Sequence, residues 1–286
     1  KLNVSEAELL STEINKKTFL LIITDLNKFF KELFNFDSLM FLVRNDLAVH
    51  EKIINPLHYK IKGESINSED GNCLLDIKFN HLKYIFYQNK IHKNINLRSF
   101  QFFDDFGNSI IKIYLKSKQN SKFDELALKY KTSYNYQLQS KKNKKNYFND
   151  YYLFNNIKLY YKNNKSNIIE INRYTSEKFR SIIELVSEMN LIIQIIIIGK
   201  YVIQYHEDNI TKIVDFGPWF NIMDKSFNLH ILEKKIEYID IKKYSVNDKI
   251  FCCVEVYDKH SNNIIALTSK RDNELNFLQI IKKVSS

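Results

Sequence analysis

FQFFDDFGNSIIKIY, Phe100 to Tyr114, lies over VEVYDKHSNNIIALT, Val254 to Thr268, without a gap. Each reads as an apolar strand, a turn-rich centre and a second apolar strand, which is the pattern of a β-hairpin. The turns hold Asp104-Asp105-Phe106-Gly107-Asn108 in the first copy and Asp258 to Asn263 in the second, residue types that close turns. Asp104 meets Asp258, an offset of 258 − 104 = 154. The same offset places Phe41, Val43, Ala48 and Val49 over Ile195, Ile197, Val202 and Ile203, and Leu75 and Ile77 over Leu229 and Ile231. Alternating apolar patterns match one another easily, but alternation alone does not put three separated segments on one offset. The chain reads as α+β, an internal duplication of a helix-plus-antiparallel-sheet unit.

Working outward, SEAELL from Ser5 to Leu10 carries a capping box, Ser5 with Glu8, and predicts a short helix. Thr24 or Asp25 caps a second helix whose apolar face is Leu26, Phe29, Phe30 and Leu33. Leu39 to Val49 reads as one strand, followed by Leu74 to Phe79 and Lys83 to Tyr87. In the second copy a Thr175/Ser176 cap precedes the stripe Phe179, Ile182, Ile183, Val186 and Met189, then strands Ile192–Ile198 and Tyr201–Tyr205. The expected division is 1–130 for the first repeat, 131–146 for a polar linker holding Lys141 to Lys145 as KKNKK, and 147–286 for the second repeat. The aromatic stretch Tyr147 to Tyr161 is expected to open that repeat as a helix. A cleft between sheet and helices is the natural place for a ligand.

The chain has 286 residues, 43 Lys+Arg against 33 Asp+Glu and a net charge of +10, which favours anionic partners or simply reflects a Lys-rich composition. Three cysteines, two of them adjacent (Cys252, Cys253), form neither a disulfide framework nor a zinc spacing and suit a reducing compartment. Leu191 to Ile198, the longest apolar run, is interrupted by Gln194 and is too short to span a bilayer. No signal-peptide pattern is visible, and the expected compartment is the cytoplasm. The seven His are scattered, and no nucleophile elbow, Walker loop or dinucleotide fingerprint occurs. His206-Glu207-Asp208 reads as a strand end, since neighbours on a strand point to opposite faces. Aromatics interleaved with Lys can bind single-stranded nucleic acid, but a structural use of the 18 Tyr and 21 Phe is the simpler reading.

Several strings go further in combination: VSEAEL (Val4 to Leu9), VRNDLAVHE (Val43 to Glu51), SFQFFDDFGNSIIKIYL (Ser99 to Leu115), IQYHEDNITKI (Ile203 to Ile213) and GPWFNIMDKSFNLHI (Gly217 to Ile231). They resemble signature segments of the bacterial cytoplasmic haem-utilisation, or haemin-degrading-factor, family (HemS/HmuS type), itself an internal duplication. The resemblance implies a protein that binds one haem between the C-terminal sheet and a helix. Such a protein traffics haem, from an importer or to a haem oxygenase, or degrades it to release iron. Trp219, the sole Trp, is read as a packing residue.

By position, the resemblance puts the propionate contacts on Lys78, on Lys243 to within one residue, and on Arg271. Charge-assisted hydrogen bonds suit those carboxylates. The family's axial histidine falls on Asn146, an amide and a poor iron ligand, and no His occurs between Lys93 and Tyr205. The iron-ligand candidates are therefore Tyr147, Tyr151, Tyr152 and His50, tyrosinate being a known haem ligand. The family's distal aromatic corresponds to Ile196, and its polar residues before the arginine to Ala266 and Thr268. Two other functions stay open on sequence alone: a family fold whose haem site has changed, acting as a non-enzymatic binder, and a basic nucleic-acid-binding protein. Any enzymatic activity would be oxidative opening of the porphyrin.

Overall fold

The computed structural model describes residues 4–68, 73–132, 167–246, 249–269 and 273–285. Most of the expected linker and all of the expected aromatic helix lie outside the described residues. The chain forms two compact units. The first comprises Lys1–Arg44, Glu51–Lys145 and Tyr201–Ile203, and the second Asn45–His50, Asn146–Lys200 and Gln204–Ser286.

In the first unit the elements run α1 (Glu6–Ser11), β1 (Thr18–Leu21), α2 (Leu26–Leu33), β2 (Leu39–Arg44), β3 (Ala48–Ile54), β4 (Tyr59–Lys62), β5 (Ser65–Ser68), β6 (Cys73–Ile77), β7 (Tyr84–His92), β8 (Ile95–Phe103), β9 (Ser109–Leu115) and α3 (Asn120–Lys129). The capping box is present: the Glu8 amide donates to Ser5 Oγ at 3.2 Å, and the Ser5 amide to the Glu8 carboxylate at 2.6 Å. Asp25, not Thr24, caps α2 by accepting from the Lys28 amide at 2.9 Å. Antiparallel strands lie in the order β1-β7-β8-β9-β2, and β4-β5-β6 form a separate meander. The helical stripe reads out as packing. Phe29 meets Phe100 edge-on at 5.0 Å, and Phe30 stacks on Phe79 at 5.4 Å and on Phe102 at 5.8 Å. These rings, all fully buried apart from Phe79, anchor the helix on the sheet because each removes a large apolar area from water.

The second unit repeats the order: β10 (Asn167–Thr175), α4 (Glu177–Glu188), β11 (Ile193–Gly199), β12 (Val202–Asp208), β13 (Ile213–Phe216), β14 (Trp219–Asp224), β15 (Phe227–Ile231), β16 (Ile236–Val246), β17 (Lys249–Asp258), β18 (Asn263–Ser269) and α5 (Glu274–Ser285). Its sheet runs β10-β16-β17-β18-β11, with β13-β14-β15 as the meander. Shifted by the offset, β3, β6 and β9 reproduce the bounds of β12, β15 and β18, and the 3-10 turn Phe79–His81 reproduces Glu233–Lys235. The α+β duplication read from the sequence is the architecture of the protein. Phe179, Ile182, Ile183 and Val186 of α4 are buried as their spacing requires, although Ser176 sits at the N-cap without a side-chain bond and Met189 is exposed.

The stretch expected as one strand, Leu39 to Val49, is two. Asn45 breaks it, because its Oδ1 accepts from the Leu47 and Ala48 amides at 3.0 and 2.9 Å, an Asx turn. Its Nδ2 donates to the Ile198 and Ile264 carbonyls at 3.0 and 2.8 Å. This places Asn45–His50 in the second unit, where the Leu232 amide donates to the Leu47 carbonyl at 2.9 Å. Reciprocally, Tyr201 belongs to the first unit: its carbonyl accepts from the Lys78 amide at 2.9 Å, and its ring stacks on His81 at 3.7 Å.

Candidate functional site

Lys78 follows β6 in the first unit and opens the 3-10 turn. Its ammonium pairs with Glu64 at 3.2 Å, both side chains about a third exposed (35% and 38%), a pair weakened by water. In the second unit, β16 carries two adjacent lysines, and alternation sends them to opposite faces. Lys243 pairs with Glu170 and lines a cavity of about 90 Å³ with Leu278, Ile281 and Lys282 of α5. That carboxylate raises the Lys243 pKa, and Lys243 in turn lowers that of Glu170.

Lys242 faces the other way. It donates to Glu255 at 2.5 Å and to the Tyr257 hydroxyl at 3.1 Å. Glu255 is buried, and it also accepts from the Tyr257 and Tyr244 hydroxyls. Burial pushes the Tyr244 phenol pKa well up, so the ring stays a donor. Cross-strand register sets Lys242 against Cys253 and Cys253 against Thr268, then Asp240 against Glu255, Glu255 against Ala266 and Ala266 against Ile196. The position of the family's distal aromatic, Ile196, and those of its polar residues before the arginine, Ala266 and Thr268, thus share a face with Lys242 and not with Lys243. On the same face Arg173 forks onto Asp240 at 2.8 and 3.0 Å and lies 3.7 Å over the Tyr238 ring.

His50 is fully buried, its ring edge-to-face with Phe227 at 4.7 Å. His206 stacks on the same Phe227 at 3.7 Å. His206 is buried and Asp208 exposed at the end of β12, as a strand end requires. Arg271, Asn146, Tyr147, Tyr151 and Tyr152 lie outside the described residues.

A second feature escaped the sequence reading. On the meander of the second unit, a groove of about 500 Å³ is lined by Val49, Val214, Phe216, Trp219, Asn221, Met223 and His230. Its lining is almost wholly apolar, and Phe216 is 77% exposed. Trp219 is half-buried and lines this groove, not a core. Asn221 and His230 are direct cross-strand partners, a pairing that neither strand's own sequence reveals. Among the described residues no group of three or more His, Cys, Asp or Glu can hold a bare metal ion.

Fold and site together describe a tandem-repeat α+β protein with polar and apolar ligand-sized surfaces on its sheets. The sequence model of the haemin-degrading HemS/ChuX domain matches residues 3–130 and again 168–283, and the chain belongs to that family. Among solved structures, ChuS, an Escherichia coli heme oxygenase, superposes with a TM-score of 0.82 at 17% identity, covering 99% of this chain and 93% of that one. A second structure, the Escherichia coli O157:H7 heme degrading enzyme ChuS, gives 0.81 at 18% identity over 99% and 91%. Holo-PhuS, a heme-binding protein from Pseudomonas aeruginosa, gives 0.78 at 17% identity over 96% and 90%. At these identities the likeness is one of fold. No curated protein matches the sequence.

Proposed function

We propose that this chain is a cytoplasmic haem-binding protein of haem utilisation, which receives haem from an importer and carries it toward a haem oxygenase. The observation that supports the reading is the match of both halves to the haemin-degrading domain. The residues present fit the ligand chemically. Lys78 already holds a carboxylate, Glu64, and Lys243 holds Glu170, on ammoniums that water reaches, and a propionate is a carboxylate that can take the same place. For a haem lying on Ile196 and Ala266 the β16 anchor is Lys242, one residue away and on their face. Arg271 is the third anchor. Bound haem supplies any redox chemistry, while the chain supplies orientation, an axial ligand and the anchors. The iron would be held by a tyrosinate from Tyr147, Tyr151 or Tyr152, or by His50, or the haem would be held by packing and propionates alone.

Carriage is favoured over ring opening by one observation. The distal aromatic's position is Ile196 and the first of the polar positions is Ala266, both buried and aliphatic, and the second, Thr268, already donates to the Cys252 carbonyl at 2.9 Å. Neither aliphatic side chain can donate to an oxygen ligand, and the Thr268 hydroxyl hydrogen is already committed to that carbonyl. Among the described residues no helix is long and apolar enough to cross a membrane. Titrating the protein with haemin while following the Soret band tests the reading. A saturable change with defined stoichiometry is expected, and its absence removes the proposal. Loss of the Soret band on adding an electron donor would replace carriage with degradation.

A further inference from the structure

The groove on β13–β15 has one polar device, and its hydrogen bonds determine a tautomer. Asn221 is buried, and its Nδ2 donates to the Val214 carbonyl at 2.8 Å and the Trp219 carbonyl at 3.1 Å. A carbonyl only accepts, so the amide nitrogen must face those two atoms, and Oδ1 must be the atom facing His230. His230 Nδ1 lies 2.6 Å from that oxygen. Oxygen accepts, so Nδ1 carries the proton. In the neutral ring Nε2 is then the lone-pair nitrogen, and it has no hydrogen-bond partner among the described residues. An imidazole whose Nδ1–H is held by an amide or carbonyl oxygen, with Nε2 left basic, is the arrangement that orients a metal-ligating histidine.

A single nitrogen donor among Val49, Val214, Phe216, Trp219 and Met223 does not suit a bare cation, which needs several ligands. It suits a metal that brings its own equatorial ligands inside a flat apolar body. From this juxtaposition we infer a second ligand site, for a metalloporphyrin, with His230 Nε2 on the metal, Trp219 and Phe216 against the macrocycle, and Asn221 as the positioning residue. The choice of metalloporphyrin rests on the haem reading above, but the site shares no residue with the propionate anchors or the iron-ligand candidates named there.

The test is a haemin titration of the full chain beside His230→Ala, His230→Gln and Asn221→Leu, each checked for an unchanged thermal transition. The parent protein is expected to take up two equivalents. His230→Ala and His230→Gln lose one and keep the other, and Asn221→Leu weakens the same equivalent about tenfold or more, in line with loss of an outer-shell partner. Imidazole added to His230→Gly restores the lost ligand spectrum. Iron-free protoporphyrin binds the groove more weakly than haemin and is indifferent to His230. One equivalent in parent and variants alike overturns the second site and leaves the haem reading standing. No uptake at all overturns both. Uptake of one equivalent that vanishes in His230→Ala keeps the groove and overturns the anchors on Lys78, Lys243 and Arg271. If an apolar peptide or a second copy of the chain occupies the groove instead, His230 variants leave haemin uptake unchanged, and the inference is lost.

Discussion

Asp104 and Asp258, 154 positions apart, close the same turn in the same way. The Asp104 amide donates to the Asn108 carbonyl at 3.0 Å, and its Oδ1 accepts from the Phe106 and Asn108 amides at 2.9 and 2.8 Å. The Asp258 amide donates to the Asn262 carbonyl at 3.1 Å, and its Oδ1 accepts from the His260 and Asn262 amides, both at 2.8 Å. Both aspartates are buried. Replacing either by Ala leaves backbone donors without their acceptor, and unfolding titrations should show a loss of about 1–3 kcal/mol. Asn at either position keeps Oδ1 and should cost less.

The third residue after each aspartate is left-handed: Gly107 at φ 74° and Ser261 at φ 59°. The two differ in what surrounds them. A Cβ on Gly107 would fall 2.2 Å from Ser5 Oγ, the cap of α1. Gly107→Ala should therefore combine left-handed strain of about 1–2 kcal/mol with displacement of α1, visible as faster exchange of the Ala7 amide, which bonds the Gly107 carbonyl at 3.0 Å. Ser261→Gly should stabilise slightly or be neutral.

The repeat was legible because a strand's side-chain alternation survives duplication while identities drift. Phe103-Asp104 and Tyr257-Asp258 kept both the pattern and the turn chemistry. Less was legible where polarity hides an element. β4, β5 and β13 are four-residue pieces whose exposed faces break the apolar rhythm, as in YKIK of β4. The break at Asn45 is an Asx turn closed locally; what no local pattern carries is the bonding of its side-chain amide to two carbonyls far along the chain. For the site, the sequence pointed to lysines but not to faces. Whether Lys242 or Lys243 lies with Ile196 and Ala266 follows only from the register of β16, β17 and β18. His230 with Asn221 is likewise a cross-strand fact.

The two lysines of β16 should separate cleanly. Lys242→Met strands the buried Glu255 carboxylate and should destabilise by about 3–5 kcal/mol. Lys243→Met breaks a solvated pair and should change stability by no more than about 1 kcal/mol. On the proposed function, Lys78→Ala, Lys243→Met and Arg271→Ala should each weaken haemin binding, by about 1.5–3 kcal/mol for Arg271 if it holds a propionate. Unchanged dissociation constants would count against the anchors.

Substituting Tyr147, Tyr151 and Tyr152 singly by Phe, and His50 by Leu, while recording the ferric haemin spectrum, should identify the axial ligand. A tyrosinate favours ferric over ferrous iron, so its loss should raise the reduction potential. His50 is fully buried against Phe227, and His50→Leu should leave the spectrum unaltered while a tyrosine change alters it.

Burial pushes the Cys252 thiol up to about 11 and that of Cys253 well up. Both stay protonated at pH 8, and the thiolate is the nucleophile. A Cys252→Ser/Cys253→Ser variant should label with iodoacetamide at the parent's rate in the native state, and more slowly only in denaturant. An acid with a raised folded pKa holds its proton longer folded than unfolded. Stability should therefore fall as pH rises from about 8.5 toward 11, less steeply in the double variant.

The exchange of Asn45–His50 for Tyr201–Ile203 between the units has a consequence for how the protein is made. Emerging from a ribosome, the first half cannot complete its own unit, since the stretch that accepts the Lys78 amide and stacks on His81 is not synthesised until Ile203. Meanwhile Asn45 waits, its amide partners Ile198 and Ile264 still to come. A chain truncated after the first repeat should be collapsed but not cooperative in unfolding, because each copy completes its fold with a segment that the other supplies.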